Sequence, residues 1–497
     1  MNEVLNIIED QISTYHQKVI NLARAAENSI SVLNIDNKTQ QLRDDKIICD
    51  LFEGNAPYRP RYILPDYEKF MKHGSKFLDL KAPEDIWEAT NSLLILYKNT
   101  PSITSFPVYL GSLDELLEPF VKDIDESEAY KAIKLFLTHI DRTLTDSFCH
   151  ANIGPKDTIT GRLILKAEKE LQNSIPNFTL KYNKNTSDDF TIEAIKTSLE
   201  VAKPSFANDD MFSSELGNNY AIASCYNGLP IGGGSYTLVR LNLAGLAKKA
   251  DDFEDFISFV LPETVKLQAS YINERIRFLV DESGFFQSSF LVREGLISQD
   301  RFTAMFGMVG LAECVNHFVD SSSQQNRFGY SKNAENLGLK IMDVMQKEVN
   351  KFDSKYCQVT NNNFVLHAQV GISDDHGITP GCRIPIGDEP DLHKQMITEA
   401  KFHKYFPSGI GNIYPFEPTA KKNPEAILDV LKGAFKIGMR YFSVHSSDAD
   451  VIRISGYLVK KSEIEKLNKG KQVLRDTVAL GQGAVDCLNV LERKVRK

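Results

Sequence analysis

Near the C-terminus the run Val451-Ile452-Arg453-Ile454-Ser455-Gly456-Tyr457-Leu458-Val459 is apolar enough for a buried strand, yet Arg453 and then Ser455-Gly456 break it. A glycine inside an apolar segment marks a bend, a bulge or the close approach of another backbone. The fold must therefore carry an irregular loop into a core close to the end of the chain, with a long body before it and a short tail after it.

A second interrupted segment lies upstream. Residues 220–223 form a short, mostly apolar strand that delivers Cys225, and Asn227-Gly228-Leu229-Pro230 then turns the chain sharply. Gly232-Gly233-Gly234 follows and lets backbone approach a neighbour closely. The three glycines read as a packing device or as an anion nest, and not as a P-loop, because no Gly-Lys-Ser/Thr follows. A lone cysteine is ordinarily a small core hydrophobe, so Cys225 acquires a chemical role only through its surroundings.

A chain of 497 residues exceeds one simple domain, which allows one large barrel with helical additions or several domains. With 58 Lys and Arg against 66 Asp and Glu, the net charge of -8 argues against a phosphate-tracking surface, so nucleic acid is not an expected partner. The N-terminal stretch reads as an amphipathic helix rather than a secretion signal. No stretch is long and apolar enough to span a bilayer, and the expected location is cytoplasmic. The 7 cysteines are odd in number and scattered, which suits reduced thiols. The absence of any Cys-x-x-Cys removes the standard zinc and iron-sulfur ligand runs, and neither a metal site nor a tightly bound cofactor is expected.

Residues 1–60 have helical spacing at Leu5, Ile8, Ile12 and Tyr15, which predicts a peripheral helical layer or a homodimer surface. Residues 108–111 read as a strand leading into a helix from Leu113, and 177–182 alternate as a strand with Phe178, Leu180 and Tyr182 on one face. Asn208 either hydrogen-bonds substrate or caps the next element. The small-residue run 302–318 ends in Glu313, Cys314 and His317. Glu313 and His317 fall on one helix face, as an acid-base pair or as a structural hydrogen bond. Residues 374–390 gather prolines and glycines around charged groups, as a binding loop does. There His376 is a candidate acid or base, and Arg383 a candidate two-point clamp for a carboxylate or phosphate. Asn423 with Pro424 predicts a capped helix start.

Arg453-Ile454-Ser455-Gly456-Tyr457 resembles the Arg-Val-Ser-Gly-Tyr loop of glycyl radical enzymes, and the chain as a whole is most similar to the YjjI family among them. The run 236–247 and Gly310-Leu311-Ala312-Glu313 resemble elements of anaerobic ribonucleotide reductases. The resemblance implies an α/β fold, a ten-stranded barrel made of two five-stranded parallel half-barrels set antiparallel and wrapped by helices. It implies an N-terminal helical region over 1–60, a catalytic barrel carrying the Cys225 loop over 61–440, and a C-terminal glycyl radical domain over 441–497. In this reading Gly456 stores a radical installed by a separate iron-sulfur, S-adenosylmethionine-dependent activating enzyme, and Cys225 forms the thiyl that takes hydrogen from a small-molecule substrate. A radical at Cα delocalises only if that carbon flattens, which any Cβ would hinder. Asn208, Asn227, Glu313, Cys314, His317, His376 and Arg383 are candidates for substrate contact or proton transfer.

Cys225-Tyr226-Asn227 lacks both the adjacent cysteines of pyruvate formate-lyase and the Cys-Val-Glu of diol dehydratases. The expected reaction is carbon-carbon or carbon-oxygen bond cleavage in a small polar metabolite. The alternatives are a radical reductase of a nucleoside-like or hydroxylated substrate, with Cys314 as second hydrogen donor, and a non-catalytic partner of another glycyl radical enzyme.

Overall fold

The computed structural model describes residues 3–51, 53–103, 105–368, 377–454, 456–475 and 492–497. Its strands are β1 (Ile48–Cys49), β2 (Tyr62–Leu64), β3 (His150–Ile153), β4 (Asn177–Tyr182), β5 (Ser205–Asn208), β6 (Tyr220–Ala223), β7 (Asn227–Pro230), β8 (Gly233–Asn242), β9 (Phe302–Val309), β10 (Val365–Ala368), β11 (Asn412–Phe416), β12 (Tyr441–Ser446), β13 (Val451–Arg453) and β14 (Leu458–Lys460).

Two five-stranded sheets carry the architecture. In the first, β8, β9 and β10 run parallel, with β1 and β2 antiparallel against β8. The second has the order β11-β12-β5-β4-β3. In it β3, β4 and β5 are parallel, β11 and β12 are parallel, and the two groups meet antiparallel at β5 and β12. Both sheets are therefore mixed, each built of parallel groups with antiparallel neighbours. Connectivity explains the pattern. Parallel neighbours need a crossover, and helices Ile159–Leu171, Asp188–Val201 and Pro424–Lys436 supply it between β3 and β4, β4 and β5, and β11 and β12. No such local crossover links β5 to β12, so their direction is free. Among the described residues no strand pairing joins the two sheets into one closed barrel.

Local sequence accounts for much of this framework. Asn242 ends β8 and caps helix Leu243–Ala247 by accepting from Gly245 N at 3.0 Å. Gly310, with φ 79°, turns β9 into helix Leu311–His317. Asn423 caps Pro424–Lys436 as predicted, accepting from Ala426 N. The expected strand before helix Leu113–Val121 is extended chain beside β3 that forms only an isolated bridge, Ser112 to Asn152, with Leu110 N donating to His150 O at 2.8 Å and Asn152 N to Gly111 O at 2.9 Å. The glycine triplet is a packing device: a Cβ on Gly233 would overlap the Arg301 carbonyl, and one on Gly234 the Tyr62 carbonyl.

The N-terminal spacing is helical but not continuous. Helix Glu3–Glu9 ends before Thr14, whose capping box with Gln17 starts a new helix, Tyr15–Asn28. Leu5, Ile8, Ile12 and Tyr15 are exposed. No helix among the described residues is long and apolar enough to cross a membrane.

Candidate active site

The antiparallel pair β6 and β7 closes at Ala223 and Asn227 and presents Ser224-Cys225-Tyr226 at its tip. Ser224 has a left-handed φ of 58°, a conformation that costs a non-glycine residue roughly 1–2 kcal/mol. The surroundings hold it there. Ser224 N donates to Val108 O at 2.9 Å, and Gly228 N donates to Ser408 O at 2.9 Å. Asn152 on β3 grips Ile222 at two points, with its amide donating at 2.8 Å and its oxygen accepting at 2.9 Å. Lys181 on β4 donates to Tyr220 O at 2.7 Å, and Tyr226 OH to Ala368 O on β10 at 2.7 Å. The hairpin tip is thus anchored to both sheets, and Cys225 is buried.

The Gly456 loop reaches the same point from the other end of the chain. β13 and β14 pair antiparallel, and Ile454 N donates to Tyr457 O at 3.1 Å to close the turn. A Cβ placed on Gly456 would overlap Cys225 Cβ and lie 2.9 Å from Cys225 Sγ. The Cα of Gly456 therefore rests directly against the Cys225 side chain, and glycine is required at 456 for space. The Gly456 carbonyl accepts from Asn177 Nδ2 at 3.1 Å and from Arg453 Nη1 at 3.3 Å. Arg453 Nη2 also donates to Asn177 Oδ1 and to Ala202 O, both at 2.9 Å.

A buried polar network ties the two loops together. His150 Nδ1 lies 2.8 Å from Ser224 O, and its Nε2 lies 2.8 Å from Thr179 Oγ1, which meets Tyr441 OH at 2.7 Å. A carbonyl can only accept, so Nδ1 carries the ring proton and Nε2 accepts from Thr179. Burial pushes His150 down to about 3, with the charges of Arg453 and Lys203 acting in the same direction, so the ring is neutral near pH 7. Burial likewise raises the Cys225 thiol above its usual value. The sulfur keeps its hydrogen, which suits hydrogen-atom exchange and does not suit a thiolate nucleophile.

The structure separates the sequence candidates. Cys225 Sγ donates to Asn227 Oδ1 at 3.3 Å, while the fully buried Asn227 Nδ2 has no partner among the described residues. Arg383 lies with its guanidinium carbon 5.8 Å from the Tyr226 ring centroid, donates from Nε to Gly411 O at 2.7 Å, and leaves Nη2 buried without a partner among the described residues. Asn208 is a cap: its oxygen accepts from Met211 N and its amide donates to Met439 O at 3.0 Å, which removes it from the site. Glu313 accepts from the backbone and hydroxyl of Thr379 and fastens that loop to helix Leu311–His317. Burial raises its carboxyl. His317 is exposed against Phe318, so the expected Glu313–His317 bond does not form. Cys314 packs in the main apolar core, where burial raises its thiol. His376 lies outside the described residues.

Sequence reasoning passed over Asn177, Thr179, His150 and Tyr441. A signal for two of them was present: the alternation in 177–182 puts Asn177, Thr179 and Lys181 on one face, and β4 is buried on both faces. A polar face that is wholly buried must line an interior site.

This arrangement sits on the fold of glycyl radical enzymes. The chain is similar to the anaerobic ribonucleotide reductase of Thermotoga maritima in complex with dATP and CTP (TM-score 0.69, 13% identity, 94% of this chain and 88% of that one). It is similar to the Clostridioides difficile hydroxyproline dehydratase with trans-4-hydroxy-L-proline bound (TM-score 0.68, 11% identity, 100% and 88%). The model of the family "Glycyl radical enzyme YjjI-like" matches residues 13–496. The Escherichia coli K12 protein YjjI is 41% identical over 495 residues, covering 99% of this chain and 95% of the relative. A Haemophilus influenzae protein is 44% identical over 503 residues, covering 100% and 98%. The chain belongs to the YjjI-like family of glycyl radical enzymes.

Proposed function

We propose that Gly456 stores the radical and that Cys225 carries it to substrate. The observation behind this reading is the contact itself: the Gly456 Cα rests against the Cys225 side chain in a buried site. A radical S-adenosylmethionine activating enzyme removes one hydrogen atom from the Gly456 Cα. The glycyl radical takes the hydrogen of the Cys225 thiol, restoring the glycine Cα–H and leaving a thiyl. The thiyl takes a hydrogen atom from a substrate C–H, the substrate radical breaks a C–C or C–O bond, and the thiol returns hydrogen to the product radical. Each exchange moves one hydrogen atom with its electron, so no outside oxidant is consumed. Burial shields the intermediates.

The substrate is a small polar metabolite and the reaction class a lyase. The reductase alternative is weaker because its second hydrogen donor, Cys314, sits among apolar core residues. We assign the 441–497 segment as the radical-bearing unit, 61–440 as a catalytic barrel that closes between the two sheets, and 1–60 as a helical layer on the outside or at a homodimer contact. The enzyme works in the cytoplasm.

Anaerobic activation followed by electron paramagnetic resonance tests the assignment. A glycyl doublet is expected in the wild type and in Cys225→Ala, and none in Gly456→Ala. With a demonstrably competent activator, the absence of a doublet from the wild type would sink the reading. Depletion of a metabolite by the wild type and not by Cys225→Ala assigns the thiol.

A further inference from the structure

Burying a cation costs several kcal/mol in effective terms unless a partner compensates it, on the order of the penalty seen for buried ion pairs broken on one side. At several buried arginines the chain supplies a carboxylate, while Arg453 and Arg496 bond neutral acceptors. Buried Arg61 pairs with Glu53 at 3.0 Å, Arg275 with Asp50 at 3.2 Å, Arg440 with Glu215 at 2.7 Å, and Arg475 with Asp141. Arg383, only 7% exposed, has no carboxylate partner among the described residues. Its Nε is satisfied by the Gly411 carbonyl, and its Nη2 is enclosed with nothing to bond.

The carboxylate that touches its neighbour in sequence is already engaged. Glu399 accepts from Ile384 N, Gln395, Asn412 and Tyr414, all neutral donors. Arg453, on the Gly456 side, adds a second buried positive charge whose partners, Gly456 O, Asn177 Oδ1 and Ala202 O, are likewise neutral. Burial first, and Arg383's charge among the further causes, hold Arg453 below its usual value, as an uncompensated pair of cations would. Asn227 supplies the other idle donor: its oxygen takes the Cys225 thiol hydrogen at 3.3 Å, and its NH2 group is buried and unpartnered.

We propose that the molecule acted on at Cys225 carries a carboxylate, received by Arg383 Nη2, with the Asn227 amide addressing an oxygen beside the carbon that faces the sulfur. This rests on the reading of Cys225 as the reacting thiol. A carboxylate fits better than a phosphate, because a guanidinium whose Nη atoms make no hydrogen bond among the described residues presents a planar two-point face with a single charge, matching a singly charged, planar group. A phosphate would bring three oxygens and a second charge to a surface whose other wall is the Tyr226 ring.

The test uses the full-length chain without activation, so it does not depend on the radical. Isothermal titration at matched ionic strength compares acetate with its neutral counterpart acetamide and with inorganic phosphate. Acetate is expected to bind at least tenfold more tightly than either, to lose that advantage in Arg383→Gln, and to keep part of it in Arg383→Lys, which retains the charge should the glutamine variant fold poorly. Acetate binding no better than acetamide, phosphate binding in preference to acetate, or an acetate affinity unchanged by both substitutions overturns the inference. A glycyl doublet without acetate preference refutes the carboxylate and spares the radical reading. Acetate preference without a doublet does the opposite.

Discussion

The two loops that meet at the site are built differently. The Cys225 hairpin is part of the scaffold: Ala221, Ala223 and Leu229 belong to the main core, Tyr220, Ile222, Cys225 and Tyr226 pack beside it with Ala207, Phe212 and Tyr441, Asn152 of the second sheet holds its backbone, and Tyr226 OH reaches Ala368 O of the first. The Gly456 loop is an applied piece. Its apolar residues form two small clusters of their own, Ile452, Ile454, Tyr457, Val459 and Ile464 beside Phe148, and Val451 and Leu458 with Ala202. Polar clamps do the rest, from Arg453, Asn177 and, out of the tail, Arg493, which donates to Arg453 O at 2.9 Å and Ile454 O at 2.6 Å. A separate cluster has fewer apolar contacts to lose, so this loop should open locally while the hairpin opens only when the whole protein unfolds. That asymmetry suits a glycine that an activator must reach and a cysteine that it need not.

The largest break comes from Gly456→Ala. The added methyl would overlap Cys225, so the loop must lift, at a cost of about 1–3 kcal/mol for overpacking, and product formation falls to background. Hydrogen exchange should accelerate in 451–460 and stay unchanged in 220–230. Equal acceleration in both would erase the distinction between scaffold and applied piece. Arg453→Met comes next. It strands the Ala202 carbonyl and the Asn177 oxygen and takes one of two donors from the Gly456 carbonyl, for a loss of about 3 kcal/mol, read by the same exchange experiment and again confined to the loop.

The scaffold half of this contrast is the half the sequence reveals. β6, its turn and β7 follow from an apolar run and turn residues, and the helix starts at Asn242 and Asn423 follow from capping chemistry. The Gly456–Cys225 meeting follows from a motif, since nothing in local sequence says which distant segment the glycine approaches. The antiparallel meeting of β5 and β12 is in keeping with the resemblance, which implies half-barrels set antiparallel, and is not legible in local sequence, because the pairing of distant segments is set by packing of whole βαβ units. The polar lining was half legible. Asn177 and Thr179 show in the alternation of β4, whereas the choice between cap and ligand for Asn208 turns on where Met211 and Met439 sit.

Acidification should sharpen the comparison at a smaller scale. Burial pushes His445 down to about 3, helped by the charges of Arg493, Arg453 and Lys461, and its Nδ1 has no partner among the described residues. A histidine whose folded value is depressed gives stability that is complete above its free value near 6.5 and is lost as pH falls toward 3. At pH 5 that amounts to about 2 kcal/mol if lifting the loop exposes the ring. Exchange in 451–460 should therefore quicken between pH 6.5 and 5 by up to one proton's slope, and His445→Gln should flatten it. His150 has a similar depression but belongs to the hairpin's support, so its effect should appear in global denaturation instead.

The smallest effect isolates the tail. Arg493→Ala removes two donors to the carbonyls that lead into the glycine turn, worth about 1 kcal/mol after water replaces them. The glycine itself, its contact with Cys225 and the Asn177 clamp are untouched, so the activated enzyme should turn over normally. What should change is access: a loop held about 1 kcal/mol less firmly is open several-fold more often, and radical installation by a limiting amount of activator should speed up by a similar factor. An unchanged activation rate with faster exchange in 451–460 would mean that loop opening does not limit activation. A fall in turnover would place Arg493 in the working site, and the loop would then be as much scaffold as the hairpin.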